Sequence, residues 1–148
     1  MIRPIVLTVT REFAAPPERV FDAWLDPAEA CRFLFATEGG EVVECEIDAR
    51  VGGSARIVDR RAGGDAVHRL RYEAIERPHL LVFLFAADPA GEGEWTRVSI
   101  VIAPTAAGCT LALTHEMDPQ WADYEAQTRQ GWTMILAGLA RIMEKSDA

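Results

Sequence analysis

Between residues 42 and 117 six short strand-like runs follow one another, separated by turn-forming stretches; "VVECEIDAR" and "VHRLRYEAI" alternate apolar and polar residues, and "HLLVFLFAA" is apolar on both faces. Period-two runs are half-buried strands, and strands joined by short loops pair antiparallel. No other feature limits the fold so strongly. The runs are "VVECEIDAR", "ARIVDR", "VHRLRYEAI", "HLLVFLFAA", "WTRVSIVIA" and "CTLALTHEM", with turns or loops at "VGGS", "RAGGDA", "DPAGEGE" and "PTAAG". In the first run Val43, Cys45 and Ile47 share one face, and Glu44, Glu46 and Asp48 the other. A turn over 50–52 would set Glu46 opposite Arg56 on the solvent face, a pair worth at most about 1 kcal/mol. Gly52 and Gly53 supply the turn, and Asp48 with Arg50 braces it.

Two patterns flank this block. "IVLTVTREF" is a further strand, followed by a helix in "AAPPERVFDAWL", with Pro17 in its first turn and Val20, Phe21 and Trp24 facing the core. Asp26-Pro27 punctuates, "AEACRFLF" is a second short helix, and "TEGGE" a loop. After the last strand, Asp118-Pro119 provides an N-cap and a first helical position, and the helical pattern persists to about Lys145. A sheet with one polar and one apolar face needs a single covering layer. The expected fold is therefore α+β: a curved antiparallel sheet of about seven strands wrapped around a long C-terminal helix, in the order β-α-α-β-β-β-β-β-β-α. At 148 residues this is one domain, 1–148, around one core.

Such a sheet tends to leave space beneath its helix. By parity the walls are Val43, Cys45, Ile47, Leu70, Tyr72, Leu81, Phe83, Phe85, Val98, Ile100, Leu111 and Leu113. The helix adds Thr128, Gly131, Trp132, Ile135, Leu136, Leu139 and Met143, and His68, His115 and Met117 share the inward parity. Apolar walls with a few convergent polar groups are what ligand pockets have. Arg11 keeps the parity of Val9 and Phe13, with a snorkelling side chain as the favoured reading. Gly131 and Gly138 each cost a helix about 1 kcal/mol against alanine. Helical spacing sets both on the stripe of Ile135 and Ile142. Gly131 is then where the helix backbone nears the sheet or bends, and Gly138 where the roof lacks a side chain. Val82 and Leu84, on the outer face, suggest a homodimer contact unless covered.

Charge and motif content exclude several classes. A net charge of −8 argues against nucleic acid and against an anionic membrane surface. No run reaches the roughly 18 apolar residues of a membrane span. The start "MIRPIVLTVT" is too short for a secretory signal, and three cysteines without metal spacing fit free thiols in a reducing cytoplasm. No phosphate loop, metal cluster or nucleophile elbow occurs, so neither a metal nor a cofactor is expected. Acid–base work by His115, His68 or Tyr72 is the catalysis the residues allow.

Five segments in order resemble one family. "TREFAAPPERVFDAWLDPAE", "EIDARVGGSARI", "RYEAIERPHLLVFLF", "LALTHEM" and "QGWTMILAGL" are similar to stretches of the START-like (SRPBCC, helix-grip) superfamily, nearest its AHSA1-type branch, named after an activator of a heat-shock chaperone's ATPase. The resemblance implies a cavity between sheet and long helix. Relatives bind lipids, steroids, polyketides and plant hormones there, some act as aromatase/cyclases, and the namesake stimulates a chaperone. The chain departs from the branch in having "RFLF" for a tryptophan pair, Ala74 for a glutamate and Phe85 for a tryptophan. These changes make the cavity mouth aliphatic and aromatic and weaken any carried-over catalytic carboxylate. The length leaves no room for the eukaryotic activator's separate chaperone-binding domain. The first expectation is a binding protein for an apolar or aromatic small molecule, held by Leu70, Tyr72, Phe83, Phe85, Val98, Ile100, Leu113, His115, Met117, Gly131, Trp132, Ile135, Leu136, Gly138 and Leu139. The alternatives are a cyclase/dehydratase- or hydrolase-like enzyme and a chaperone-cofactor or stress-response module. Fold alone does not choose among them.

Overall fold

In the computed structural model, which describes residues 5–36, 39–87 and 95–146, seven antiparallel strands form one sheet. The elements run β1 (Ile5–Phe13), α1 (Pro17–Leu25), α2 (Pro27–Phe33), β2 (Glu41–Ile47), β3 (Ser54–Arg61), β4 (Gly64–Glu76), β5 (Leu80–Ala87), β6 (Thr96–Pro104), β7 (Cys109–Met117) and α3 (Glu125–Ser146). This is the expected α+β order. The loop over 88–94 and part of the one after α2 fall outside the described residues. The sheet order is β1-β7-β6-β5-β4-β3-β2. The six later strands meander, and β1 closes against β7, with Leu7 opposite His115.

Local signals place the ends of these elements. Asp26 ends α1 and caps α2, its carboxylate accepting from the Ala28 amide at 3.0 Å. The segment after Asp118 starts as a 3-10 helix, Pro119–Tyr124, before becoming α-helical. The β2–β3 turn is braced as the residues suggest: Arg50 Nε donates to Asp48 at 2.8 Å, and Gly52 takes a φ of 85°. Gly53 admits no side chain, because a Cβ there would lie 2.3 Å from the Asp48 carbonyl oxygen.

Parity holds along most strands but breaks in β2. Glu46 pairs with Arg56 as expected, although the Arg56 guanidinium bonds diagonally to Glu44 at 3.1 Å. A bulge between Val42 and Glu44 inserts Val43 as an extra residue, so Val43 is exposed while Val42 packs on the core. The expectation that Val43 lines the interior is therefore corrected: one inserted residue reverses the facing before it. Arg11 is exposed. Val82 and Leu84 are half-buried, and Leu84 sits in the ladder between Arg71 and Arg97, whose stems can cover it.

The long helix is not centred on the sheet. Its nearest neighbours are β1, α1 and α2. Over that half the interior is solid, with Leu139, Leu136, Trp24, Phe33 and Leu113 all fully or almost fully buried. Space remains at the other end, above β4 and β5.

Candidate functional site

A cavity of about 350 Å³ lies between the first half of α3 and strands β3, β4, β5 and β7. Phe35, His68, Phe85, His115, Trp132 and Ile135 form its inner walls, and Arg61, Tyr124 and Met134 are among the residues nearer its opening. The opening is mixed: Tyr124 and Met134 are both about half exposed, and Arg61, Gln127 and Thr128 add polar groups to the lining.

The inner wall is an aromatic box. Phe35 stacks on His68 with ring centroids 4.2 Å apart and planes 2° off parallel. The same Phe35 ring stacks on Phe85 at 5.1 Å. Phe85 meets the edges of His115 and Trp132 at 5.9 Å and 6.3 Å. Phe35 reaches this position through strained backbone. It follows the end of α2 with φ of 59°, a left-handed conformation that costs an L-residue roughly 1–2 kcal/mol. Strain of this kind persists where surrounding packing fixes it, often at ligand clamps.

The histidines are wired differently. The Trp132 indole, a donor only, gives its N–H to His115 Nδ1 at 3.0 Å. Neutral His115 must then carry its proton on Nε2, which lies 2.7 Å from Thr96 Oγ1. Thr96 in turn donates to the Phe85 carbonyl oxygen at 3.3 Å. Every link has one donor and one acceptor, so both His115 nitrogens are used. Burial pushes the His115 pKa down to about 4. His68 uses Nδ1 alone, donating to the Ile57 carbonyl oxygen at 3.2 Å, since a carbonyl can only accept. Its Nε2 therefore bears a lone pair. That atom has no partner among the described residues, and it is absent from their fully buried unpaired polar atoms, so it meets open space. Burial also holds His68 down to about 4, with Arg61's charge adding to the effect and the Ile57 bond and Asp59 opposing it.

Of the residues expected to line a pocket, the structure gathers Phe85, His115, Thr128, Gly131, Trp132 and Ile135 around this cavity, together with His68. Leu70, Tyr72, Phe83, Val98, Ile100, Leu113, Met117, Leu136 and Leu139 face inward but do not reach it; they are buried in packed interior. Alternation fixes a side chain's face, whereas depth depends on where the helix lies. Tyr72 packs against Phe83, and its hydroxyl is buried without a hydrogen-bond partner among the described residues. Burial raises its pKa above that of an ordinary phenol, which leaves no acid–base part for it at this cavity.

The two helix glycines exchange their expected roles. Gly138 lies beside α2, where an added Cβ would meet Phe33 Cβ at 3.3 Å. It allows helix–helix contact and does not roof the cavity. Gly131 lies on the cavity wall, and a Cβ there would meet nothing within 4 Å. Parity reasoning overlooked Arg61, although counting on from inward Ile57 through Asp59 reaches it. Asp59 is fully buried and accepts from Arg61 Nε at 2.7 Å, which holds the guanidinium at the cavity edge. Phe35 was overlooked because its φ cannot be read from residue type.

Among the described residues no group of three or more His, Cys, Asp and Glu side chains could hold a metal ion, and no helix is long and apolar enough to cross a membrane.

Comparison with known proteins places this architecture. Residues 14–144 match the AHSA1 family model, described as "Activator of Hsp90 ATPase homolog 1-like protein". No curated protein sequence matches the chain. Among solved structures, protein CV1439 of Chromobacterium violaceum is 28% identical with a TM-score of 0.84, covering 95% of this chain and 99% of its own. A Rhodobacter sphaeroides protein is 26% identical with a TM-score of 0.83, over 95% of this chain and 93% of its own. Protein NE0264 of Nitrosomonas europaea, 17% identical with a TM-score of 0.82 over 96% of both chains, shares the fold.

Proposed function

Because the chain belongs to the AHSA1 family of Hsp90 ATPase activator homologue 1-like proteins, with the helix-grip fold, we propose that it binds an apolar, aromatic small molecule in the cavity beneath α3. The observation that carries this reading is the aromatic box of Phe35, Phe85 and Trp132 around about 350 Å³ of space. That volume sits near the lower end of the roughly 300–1,000 Å³ of small-molecule sites, which suits a compact ligand of two or three rings.

The wiring of the polar groups favours binding over catalysis. His115 has both nitrogens committed, and Tyr72 does not reach the cavity. His68 offers a lone pair, but a group titrating at about 4 is a weak base at neutral pH, where general bases work best with pKa values near the operating pH. A chaperone-cofactor role calls for a broad apolar patch outside the cavity. Among the described residues the large exposed apolar side chains away from the opening are Val6, Val43, Val51 and Val101, each on a different strand or turn.

Gly131 supplies the test. Gly131→Leu adds a side chain at the cavity lining, where a Cβ meets nothing within 4 Å, and improves helix propensity by roughly 1 kcal/mol, so it should narrow the cavity without harming the fold. N-phenyl-1-naphthylamine, whose fluorescence rises in apolar surroundings, should bind the native protein at one site. It should bind Gly131→Leu at least tenfold more weakly, with the melting temperature held or raised. No binding to the native protein, or equal binding to both, would overturn the proposal.

A further inference from the structure

We propose that the cavity selects hydroxylated aromatic compounds: the ligand hydroxyl donates to His68 Nε2, and an acidic substituent, where present, faces Arg61 at the opening. This rests on the reading of the cavity as a ligand site and adds the polar specificity of that site.

The inference comes from the polar atoms of the inner wall, since Gln127, Thr128 and Tyr124 stand with Arg61 on the more exposed side of the lining. The Trp132 N–H, both His115 nitrogens, the Thr96 hydroxyl and the Phe85 carbonyl satisfy one another in a closed chain. They ask nothing of a ligand and present it with ring faces and edges. His68 is different. Its Nδ1–H is spent on Ile57, so Nε2 is an acceptor without a protein donor among the described residues. Phe35 lies flat on the imidazole at 4.2 Å and covers a face of the ring, leaving the in-plane lone pair at the edge. A ligand that covered Nε2 with hydrocarbon would desolvate an unpaired acceptor, which costs affinity; a ligand O–H placed there restores the bond. The aromatic box around this one acceptor calls for a flat ring carrying a donor.

Arg61 sets the preference at the other end. It ends β3 on the concave face, with Nε bonded to buried Asp59, so its outer nitrogens are the ones left for an acceptor at the opening. Its charge is close enough to His68 to lower that residue's basicity. A carboxylate or second hydroxyl is accommodated beside it, and a cationic amine is disfavoured. Because Asp59 already neutralises part of the charge, Arg61 tunes affinity and His68 decides the class.

The test uses 2-naphthol, its donor-free isostere 2-methylnaphthalene, and 6-hydroxy-2-naphthoate, each titrated calorimetrically into the native protein, His68→Phe and Arg61→Gln. The ratio of 2-naphthol affinity to 2-methylnaphthalene affinity should fall about tenfold in His68→Phe, the scale of one hydrogen bond. Taking the ratio cancels the difference in transfer from water. Arg61→Gln should lower the ratio of 6-hydroxy-2-naphthoate affinity to 2-naphthol affinity several-fold, the ratio cancelling any effect of the lost charge on His68. A second readout needs no variant. The imidazole ¹⁵N resonance of His68 Nε2 in the native protein should lie further upfield with 2-naphthol bound, as a hydrogen-bonded acceptor does, than with 2-methylnaphthalene bound. If both compounds bind while the ratio stays fixed in His68→Phe and the resonance is the same with either, hydroxyl selection is wrong and the cavity reading survives. An unchanged acid-to-naphthol ratio in Arg61→Gln would remove Arg61's part. If none of the three compounds binds, the cavity reading fails with it.

Discussion

Lowering the pH from 7.5 to 5 should cost the fold about 4 kcal/mol through His68 and His115. Both imidazoles fall from the ordinary 6.5 to about 4 in the folded protein, burial being the main cause. At pH 5 an unfolded imidazole is almost fully protonated, and the folded ones are still mostly neutral. The unfolded chain therefore binds more protons between about pH 4 and 6.5, and stability rises with pH across that window. It is fully present above 6.5, falls as acid is added, and loses nothing further from these groups below about 4. Linkage gives about 2 kcal/mol for each histidine at pH 5, and almost nothing at pH 7.5. Against a typical total of about 5–15 kcal/mol, the loss should be plain. For His115 there is a structural reason besides burial: a proton on Nδ1 would face the Trp132 indole N–H that now donates to it. Asp22, whose carboxyl Arg77's hydrogen bond holds below its ordinary range, titrates beneath this window. Urea unfolding at the two pH values measures the effect. His68→Phe and His115→Gln should each reduce the pH-dependent loss to about 2 kcal/mol. A variant that keeps the full loss would show that its histidine is not buried neutral.

Three substitutions probe the rest. Gly138→Leu should be overpacked by roughly 1–3 kcal/mol, because the new side chain starts 3.3 Å from Phe33, which cancels or exceeds its helix-propensity gain of about 1 kcal/mol in thermal or urea unfolding; a variant stabilised by that full gain would mean that α2 and α3 are not in contact there. Tyr72→Phe should be neutral or stabilising by up to about 1 kcal/mol, since the hydroxyl is buried without a partner among the described residues; a loss of about 2 kcal/mol would reveal one. Thr96→Val should cost about 1–3 kcal/mol by stranding the His115 Nε2–H, and should shift the Trp132 indole proton resonance through the shared imidazole. An unmoved indole resonance would break the proposed chain of bonds.

Much of this molecule can be read from alternation. Leu70, Tyr72, Phe83, Val98, Ile100 and Leu113 face inward as their parity requires, because a sheet with one covered face punishes any slip of register. Three things escape such reasoning. The bulge at Val43 leaves no mark in residue type, yet it reverses a facing. Depth is invisible: Phe83 and Phe85 share a face, but only Phe85 meets open space, because α3 lies toward β1 and α2. The glycines show the same limit. Gly131 and Gly138 lie on one side of one helix, and their different roles are set by Phe33 of another helix. Arg61 was within reach of parity through Ile57 and Asp59. Phe35 was not, since its left-handed backbone is a property of the packed structure.

The central claim is that the space beneath α3 receives an aromatic ring. Intermolecular nuclear Overhauser effects between 2-naphthol and the native protein test it most directly. The account predicts contacts from the naphthalene protons to the rings of Phe35, Phe85 and Trp132 and to Ile135, which surround the cavity. Contacts confined to exposed residues such as Val6 or Val101, or no contacts at saturating 2-naphthol, would contradict it.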